Sequence, residues 1–297
     1  MMKHFAKLAS VIALSMSAPV LEAGNLWIIG DATPYGWSTD DATALLSDTD
    51  TPDVYTGTIY LKANANFKFM TQTDFGGHEY GATPGSSLTD GTISLAAGSF
   101  DEGYSQIQVP ESANYRITVN TGDMTATIVK SDYQESEIGL CSLFLVGDPM
   151  PNGWSVDNGS PLYQDQTAPY IFRTSRLALK TGSFKIASVI KGGGSWDPKY
   201  WYFRDAADSN KIALNQSGDL QWNITDAGDY DITVNLLTSA IEIAVSQPGT
   251  TGISETYTDN TDAPVYYYTT TGIQVTNPTR GIYIRRQGDK TTKVYLK

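Results

Sequence analysis

The sequence predicts an all-β protein, two tandem immunoglobulin-like β-sandwich modules followed by a small C-terminal β module, and three observations lead there. The first is a gapless repeat: LWIIGDATPYGWS at Leu26–Ser38 returns as LFLVGDPMPNGWS at Leu143–Ser155. Each copy is an apolar strand that runs through Gly-Asp into a turn marked by Pro and Gly and delivers a tryptophan, Trp37 or Trp154. The second is a matched pair of alternating strands, Tyr115–Asn120 and Tyr230–Asn235, with Tyr, Ile and Val on one face and polar residues on the other. The third is composition: charged residues are 18 %, tyrosines number 18, and Gly, Thr, Ser and Asn are plentiful, which favours strands and turns over helices.

In chain order, residues 1–23 read as a secretory signal, with Lys3 and Lys7 as the basic start, a mostly apolar stretch over Leu8–Val20, and Ala23 as the small residue at the cut. No cysteine lies at that junction, so a lipidated start is not expected. The first module, 24–131, continues after Trp37 with an acidic, Thr-rich loop from Thr39 to Asp53, then strands over Val54–Leu61 and Asn66–Thr71. It closes with Tyr115–Asn120 and a hairpin partner through Met124, Ala126 and Ile128. Lys130–Gly139 is polar and acidic and reads as a short linker. The second module, 138–246, repeats the plan with Tyr170–Leu179, Ser183–Val189, Tyr230–Asn235 and the partner strand through Ser239, Ile241 and Ile243. About seven short strands over roughly a hundred residues is the arithmetic of an immunoglobulin-like sandwich.

A break at Gln247–Gly252 precedes the C-terminal module, 253–297. From Ala263 onward it has no acid but Asp289, against Arg280, Arg285, Arg286, Lys290, Lys293 and Lys297. Val265–Tyr268, Ile273–Val275, Gly281–Arg286 and Lys293–Leu296 read as four short strands with few apolar residues between them. A solvated cap on the second module stays open as the plainer reading.

Charge and chemistry exclude several functions. Lys and Arg total 20 against 32 acidic residues, and the net charge of −12 repels a phosphate backbone, so no nucleic-acid partner is expected. His4 leaves with the signal, so His78 alone cannot assemble a Ser-His-Asp relay or a histidine metal cluster. Asp31 and Asp148, the carboxylates shared by the repeats, stand at strand ends where Asp makes turn hydrogen bonds, which argues against a glycosidase pair. Asp48-Thr49-Asp50 lacks a complete calcium-loop motif. No metal, no cofactor and no catalysis are expected. The single cysteine, Cys141, directly precedes a repeat strand and reads as a half-buried structural thiol. No apolar run after the signal has the length to cross a bilayer.

A sugar ring offers C–H faces edged by hydroxyls, so its binding sites supply an exposed aromatic face and a few fixed polar groups. Trp27 aligns with Phe144, and Trp222 with Ile107, which marks both as structural. Trp37 and Trp154 follow a glycine in a polar turn, where plug and platform both stay open. Trp196, Tyr200 and Trp201 sit in the glycine-led loop GGGSWDPKYWYF, whose pattern cannot place all three inward. Lys68 in NFKFM and Lys185 in SFKIA share one position between two inward apolar residues, so each ammonium points to the outer face. There it is a donor for sugar hydroxyls or an ordinary strand lysine.

Together these residues resemble the SusE/SusF type of starch-binding outer-membrane proteins, whose tandem modules open with a strand, Gly-Asp and a Gly-Trp turn, followed by a Phe-Lys strand. The resemblance covers roughly residues 24 to 246. It implies non-catalytic binding of starch-like α-glucan or maltooligosaccharide at the cell surface, in company with other surface glycan-uptake proteins, by the turn Trp, the strand Lys and an aromatic of the next loop. The second module supplies Trp154, Lys185 and Trp196, with Tyr200, Trp201 and Arg204 nearby. The first supplies Trp37 and Lys68, and its next loop, DFGGHEYGA, offers Phe75, His78 or Tyr80 in place of a tryptophan. The tail resembles the sorting domains of type IX secretion through its Gly-Ile-Tyr-Ile strand, Gly-Asp-Lys turn and terminal Lys-Val-Tyr-Leu strand. A structural or adhesive protein without a glycan ligand, and a small glycosidase, are the alternatives.

Overall fold

The computed structural model describes residues 24–47, 50–190, 196–214, 218–246, 264–268, 274–276, 278–287 and 290–296. The signal segment 1–23, Asp48 and Thr49 of the acidic loop, and the glycine run at 191–195 lie outside the described residues. Apart from two short 3-10 turns the described chain is all β, and it divides into two compact units that part between Val245 and Ser246.

The first repeat has eight strands: β1 (Asn25–Ile29), β2 (Thr43–Ser47), β3 (Val54–Leu61), β4 (Lys68–Met70), β5 (Glu79–Ala82), β6 (Thr92–Gly98), β7 (Ala113–Asn120) and β8 (Thr125–Lys130). They pair in the order β1-β2-β3-β7-β8-β6-β5-β4, and β4 returns to β1, so one ladder closes into a barrel in place of the expected two-sheet immunoglobulin-like sandwich. Alternation sets the interior: Leu26, Ile28, Ile59, Leu61, Phe67, Phe69, Ile117 and Val119 point inward and are fully buried.

The expected seven strands become eight because the Thr39–Asp53 segment, expected as a loop, contains β2. All five of its residues are buried. Leu45 joins the barrel core, while Ala44 and Leu46 face outward into a second apolar layer. A strand covered on both faces has no polar alternation to read.

The second repeat comprises β9 (Ser142–Gly147), β10 (Ser160–Gln164), β11 (Ile171–Leu179), β12 (Gly182–Ala187), β13 (Trp201–Arg204), β14 (Ile212–Leu214), β15 (Trp222–Ile224), β16 (Gly228–Asn235) and β17 (Ala240–Val245). Its order, β14-β13-β12-β9-β10-β11-β16-β17 with β15 added beside β12, is that of the first repeat opened between β14 and β17. The Ile212 N–H bonded to Ser239 (3.0 Å) and the Ile241 N–H bonded to Asn210 (2.9 Å) bridge that opening. Trp222 is structural as expected. It stacks on Phe184 at 5.6 Å and donates its indole N–H to the Ser209 carbonyl at 2.9 Å.

The repeats share a joint. Ala44 and Leu46 of β2 cluster with Phe144, Val146, Ala187, Val189, Ile190, Tyr200, Trp201 and Phe203, and Trp27 packs against the same cluster. Trp27 is thus structural, but in the joint and not in a barrel core. Pairing of β2 with β3 stops at Leu46–Thr56, and further along β3 the Gln164 side chain takes over as the partner of Thr58. Its Oε1 accepts the Thr58 N–H at 2.6 Å, and its amide nitrogen faces the carbonyls of Thr58 (3.0 Å), Leu140 (2.9 Å) and Pro169 (2.8 Å).

The expected linker is bound to the first barrel. The Ile138 carbonyl accepts from Tyr60 N–H (2.8 Å), and Asn114 bonds the chain at Tyr133 (2.9 Å), Ser136 (2.7 Å) and Ile138 (2.9 Å). Cys141 is structural but fully buried rather than half-buried, and burial pushes its thiol pKa up. It fits because Gly57 has no side chain: a Cβ there would stand 2.9 Å from that of Cys141.

The C-terminal unit is an antiparallel sheet of β18 (Val265–Tyr268), β19 (Gln274–Val275), β20 (Gly281–Gln287) and β21 (Lys290–Leu296), ordered β19-β18-β20-β21. Tyr267 and Tyr283 meet edge to face at 6.4 Å, and Arg280 donates to the Tyr295 hydroxyl at 3.0 Å.

Candidate functional site

The repeated Gly-Asp frame ties the tryptophan turn to the lysine strand. In each copy the glycine N–H bonds across the turn to the glycine before the tryptophan, Gly30 to Gly36 and Gly147 to Gly153, both at 2.9 Å. Gly36 and Gly153 adopt φ of 61° and 59°, the left-handed region that glycine enters freely. The first glycine of each pair lies against the residue before the lysine. A Cβ on Gly30 would come within 2.4 Å of Phe67 Cα, and one on Gly147 within 2.5 Å of Phe184 Cα. The aspartate position bonds across to the segment leading into the lysine strand instead of within its own turn: the Asp31 carboxylate accepts from Asn66 N–H at 3.1 Å, and the Asp148 backbone N–H donates to the Ser183 carbonyl at 3.0 Å.

In the second module Trp154, Lys185 and Trp196 come together. The Trp154 indole N–H donates to Asp148 Oδ1 at 2.9 Å, so the frame aspartate also orients the ring. Trp196 stacks on Trp201 with centroids 5.1 Å apart and planes 11° apart, and it is inclined 42° to Trp154 at 6.3 Å. The Lys185 Nζ lies 5.7 Å from the Trp154 centroid, 5.5 Å from Trp196, 4.6 Å from Trp201 and 5.2 Å from Phe203. It bonds Asp219 Oδ1 at 2.8 Å, and that bond, above all, holds the Asp219 carboxyl below the usual carboxylate range. Trp196 is 55 % exposed and Asp219 is exposed at the rim. The arrangement offers a stacking face, a second indole at an angle to it, and a cation and an anion for hydroxyl groups.

In the first module Trp37 and Phe75 are exposed, and Lys68 Nζ lies 5.8 Å and 5.2 Å from their centroids. Here the ammonium has three hydrogen-bond partners within the module: Glu79 Oε1 (2.9 Å), Asp101 Oδ1 (2.8 Å) and the Tyr104 hydroxyl (3.1 Å). Tyr104 also bonds the Glu79 carboxylate. Burial alone would raise the Glu79 pKa, but bonds from Lys68, Tyr104 and the Asp101 N–H outweigh it and hold it low.

Several expected site residues have other tasks. Both lysines leave their sheet on the side away from the core, yet neither ammonium stands open to solvent; Lys68 is 0 % and Lys185 7 % exposed, roofed by loop side chains. Tyr200 and Trp201 are buried in the apolar layer that the second module shares with Ala44 and Leu46 of β2; Trp201 supports Trp196 from beneath. The Arg204 guanidinium is committed to the carbonyls of Gln221 (3.0 Å) and Asp205 (3.2 Å). Tyr80 packs on the barrel core, since alternation along β5 sends Glu79 outward to Lys68 and Tyr80 inward. His78 is exposed at the end of β5, and its carbonyl accepts from Thr71.

Sequence reasoning missed Glu79, Asp101, Tyr104, Asp219 and the second role of Asp148. Of these Glu79 had a signal, being the neighbour of Tyr80 in an alternating strand. Asp101, Tyr104 and Asp219 arrive from loops that carry no period.

Among the described residues no group of His, Cys, Asp and Glu is placed to hold a metal, and no helix is long and apolar enough to cross a membrane. No curated protein matches the chain. Among solved structures, the crystal structure of SusF from Bacteroides thetaiotaomicron aligns at 20 % identity with a TM-score of 0.29, over 74 % of this chain and 47 % of that one, so the alignment spans about half of that protein's length. Over residues 25–133, the first barrel and the start of the segment after it, the sequence matches the family of SusF/SusE starch specific CBMs, which are non-catalytic carbohydrate-binding modules.

Proposed function

We propose that the chain binds starch-like α-glucan or maltooligosaccharide without catalysis, with Trp154, Trp196, Lys185 and Asp219 as the principal site. The observation that supports this most is the 42° inclination between the two indoles. A bent platform suits a chain whose successive sugar faces turn, as α-linked glucose chains do, whereas a flat ribbon of sugars would meet only one ring. The first module carries the family match but engages its lysine internally. It contributes the stacking faces of Trp37 and Phe75 and binds more weakly. Two sites on one chain hold a polymer better than either alone, because the second engagement is intramolecular.

Replacing Trp154→Ala together with Trp196→Ala abolishes retardation in a native gel containing amylopectin. Mobility equal to that of the wild type would refute the assignment. The C-terminal sheet, in this reading, is an export address that delivers the protein to the cell surface, alongside other glycan-uptake proteins. Removal of residues 247–297 then leaves the protein inside the outer membrane, and surface labelling of the truncated chain would show otherwise.

A further inference from the structure

The platform of the second module is not built by that module alone. Asp41 of the first module, in the turn that follows Trp37, reaches across the joint. The Tyr200 hydroxyl donates to its Oδ1 at 2.7 Å, and Lys199 Nζ meets the same oxygen at 3.2 Å. Its Oδ2 accepts from the Ser38 hydroxyl at 2.6 Å, and its N–H bonds the Ser38 carbonyl at 3.3 Å, so the carboxylate is fixed from its own side.

Tyr200 ends the 3-10 turn Pro198–Tyr200 and is 6 % exposed. From the second module's side, the Tyr200 carbonyl accepts both the N–H (2.8 Å) and the hydroxyl (3.1 Å) of Ser188, and the Tyr200 N–H bonds the Asp197 carbonyl at 3.1 Å. Trp196 stands just ahead of this turn, separated from it by the N-cap Asp197, and Trp201, on which it stacks, directly follows it. The turn carrying the exposed indole is therefore clamped between Asp41 of one module and Ser188 of the other.

We propose that Asp41 is a positioning residue for the glycan site of the second module: it fixes the Pro198–Tyr200 turn, and with it the Trp196 ring, before ligand arrives. The inference rests on the glucan-binding reading of Trp196. A platform ordered in advance loses less freedom on binding, so releasing the clamp weakens affinity with every contacting ring still present.

The test uses the full chain and maltoheptaose, followed by calorimetry, with near-ultraviolet circular dichroism as a ligand-free readout. The signal of the stacked Trp196/Trp201 pair is the difference between the wild-type and Trp196→Ala spectra. Asp41→Ala and Tyr200→Phe each weaken affinity about three- to tenfold and diminish that signal. Combining them adds little further loss, and Asp41→Asn, which keeps an acceptor for the Tyr200 hydroxyl, restores most of both readouts. Where Trp154→Ala with Trp196→Ala does lose binding, wild-type affinity in Asp41→Ala and Tyr200→Phe overturns the proposal, whether or not the signal changes. If Trp154→Ala with Trp196→Ala also leaves affinity unchanged, the glucan reading itself fails. The circular dichroism alone then decides whether Asp41 holds the turn: an intact signal refutes it and a diminished one supports it.

Discussion

Lys68 and Lys185 occupy one position of the repeat and meet opposite surroundings. In β4–β5 pairing Met70 stands opposite Glu79, while in β12–β13 the equivalent Ala187 stands opposite Trp201. The acid in the first module gives Lys68 a buried carboxylate among its rings, whereas the indole in the second puts a ring at that place and leaves Lys185 with the exposed carboxylate of Asp219. Removing one partner of a buried ion pair leaves the other charge uncompensated, so Lys68→Met destabilises the protein by about 3–5 kcal/mol at neutral pH. In the wild type Glu79 has a lowered pKa, so its contribution is present above the ordinary carboxylate range, about pH 4, and is lost as pH falls through the folded-state value. Without Lys68 burial raises that pKa instead, and the variant loses stability as pH rises. The deficit therefore narrows on acidification, and Lys68→Met with Glu79→Gln recovers much of it. Urea melts at pH 7 and pH 4.5 check this; an equal deficit at both pH values would refute it.

Element by element, the alternating strands β4, β7, β12 and β16 were legible because each has one face in a core and one face outside it. The segments that escaped, β2 and the chain after β8, are those whose surroundings come from distant sequence: β2 is roofed by the second repeat, and residues 133–138 find partners in Asn114 and Tyr60. Similarly, the lysine positions and their outward direction were readable, but the burial of both ammonium groups was not, since Trp37, Phe75 and Tyr104 reach Lys68 from three separate loops or turns. The Gly-Asp frame shows what the duplicated motif preserves. A Cβ at Gly147 would lie 2.3 Å from the Ser183 carbonyl oxygen, forcing β9 from β12 just where Trp154 is aligned with Lys185. Gly147→Ala accordingly costs about 1–3 kcal/mol and weakens amylopectin retention, whereas Gly159→Ala, whose Cβ meets chiefly the Phe144 and Val146 side chains, leaves retention closer to the wild type. Equal retention in both variants would separate the frame from the site.

Over residues 24–245 the two repeats behave as one body because their joint has a polar lock as well as an apolar layer. An apolar contact alone tolerates sliding, but Gln164 binds the Thr58 N–H and carbonyl together, as a neighbouring strand would, and so fixes the register of β10 against β3. On the proposed glucan-binding reading, the two aromatic sites then stand at a set separation that a polymer has to match, with no flexible linker to adapt. Gln164→Leu leaves the Thr58 N–H and the carbonyls of Leu140 and Pro169 without this partner in a buried place, which costs about 2–4 kcal/mol. Gln164→Glu is worse, because a carboxylate can accept from Thr58 N–H but sets a negative charge against three carbonyl oxygens that the amide nitrogen now faces. The expected order of urea midpoints is wild type, then Gln164→Leu, then Gln164→Glu, and the two variants also lose the advantage for long glucans over maltoheptaose as the sites cease to be held in register. If Gln164→Leu unfolds within about 0.5 kcal/mol of the wild type, the lock is only a contact, and the shared apolar layer of β2 and β9 must hold the repeats together unaided.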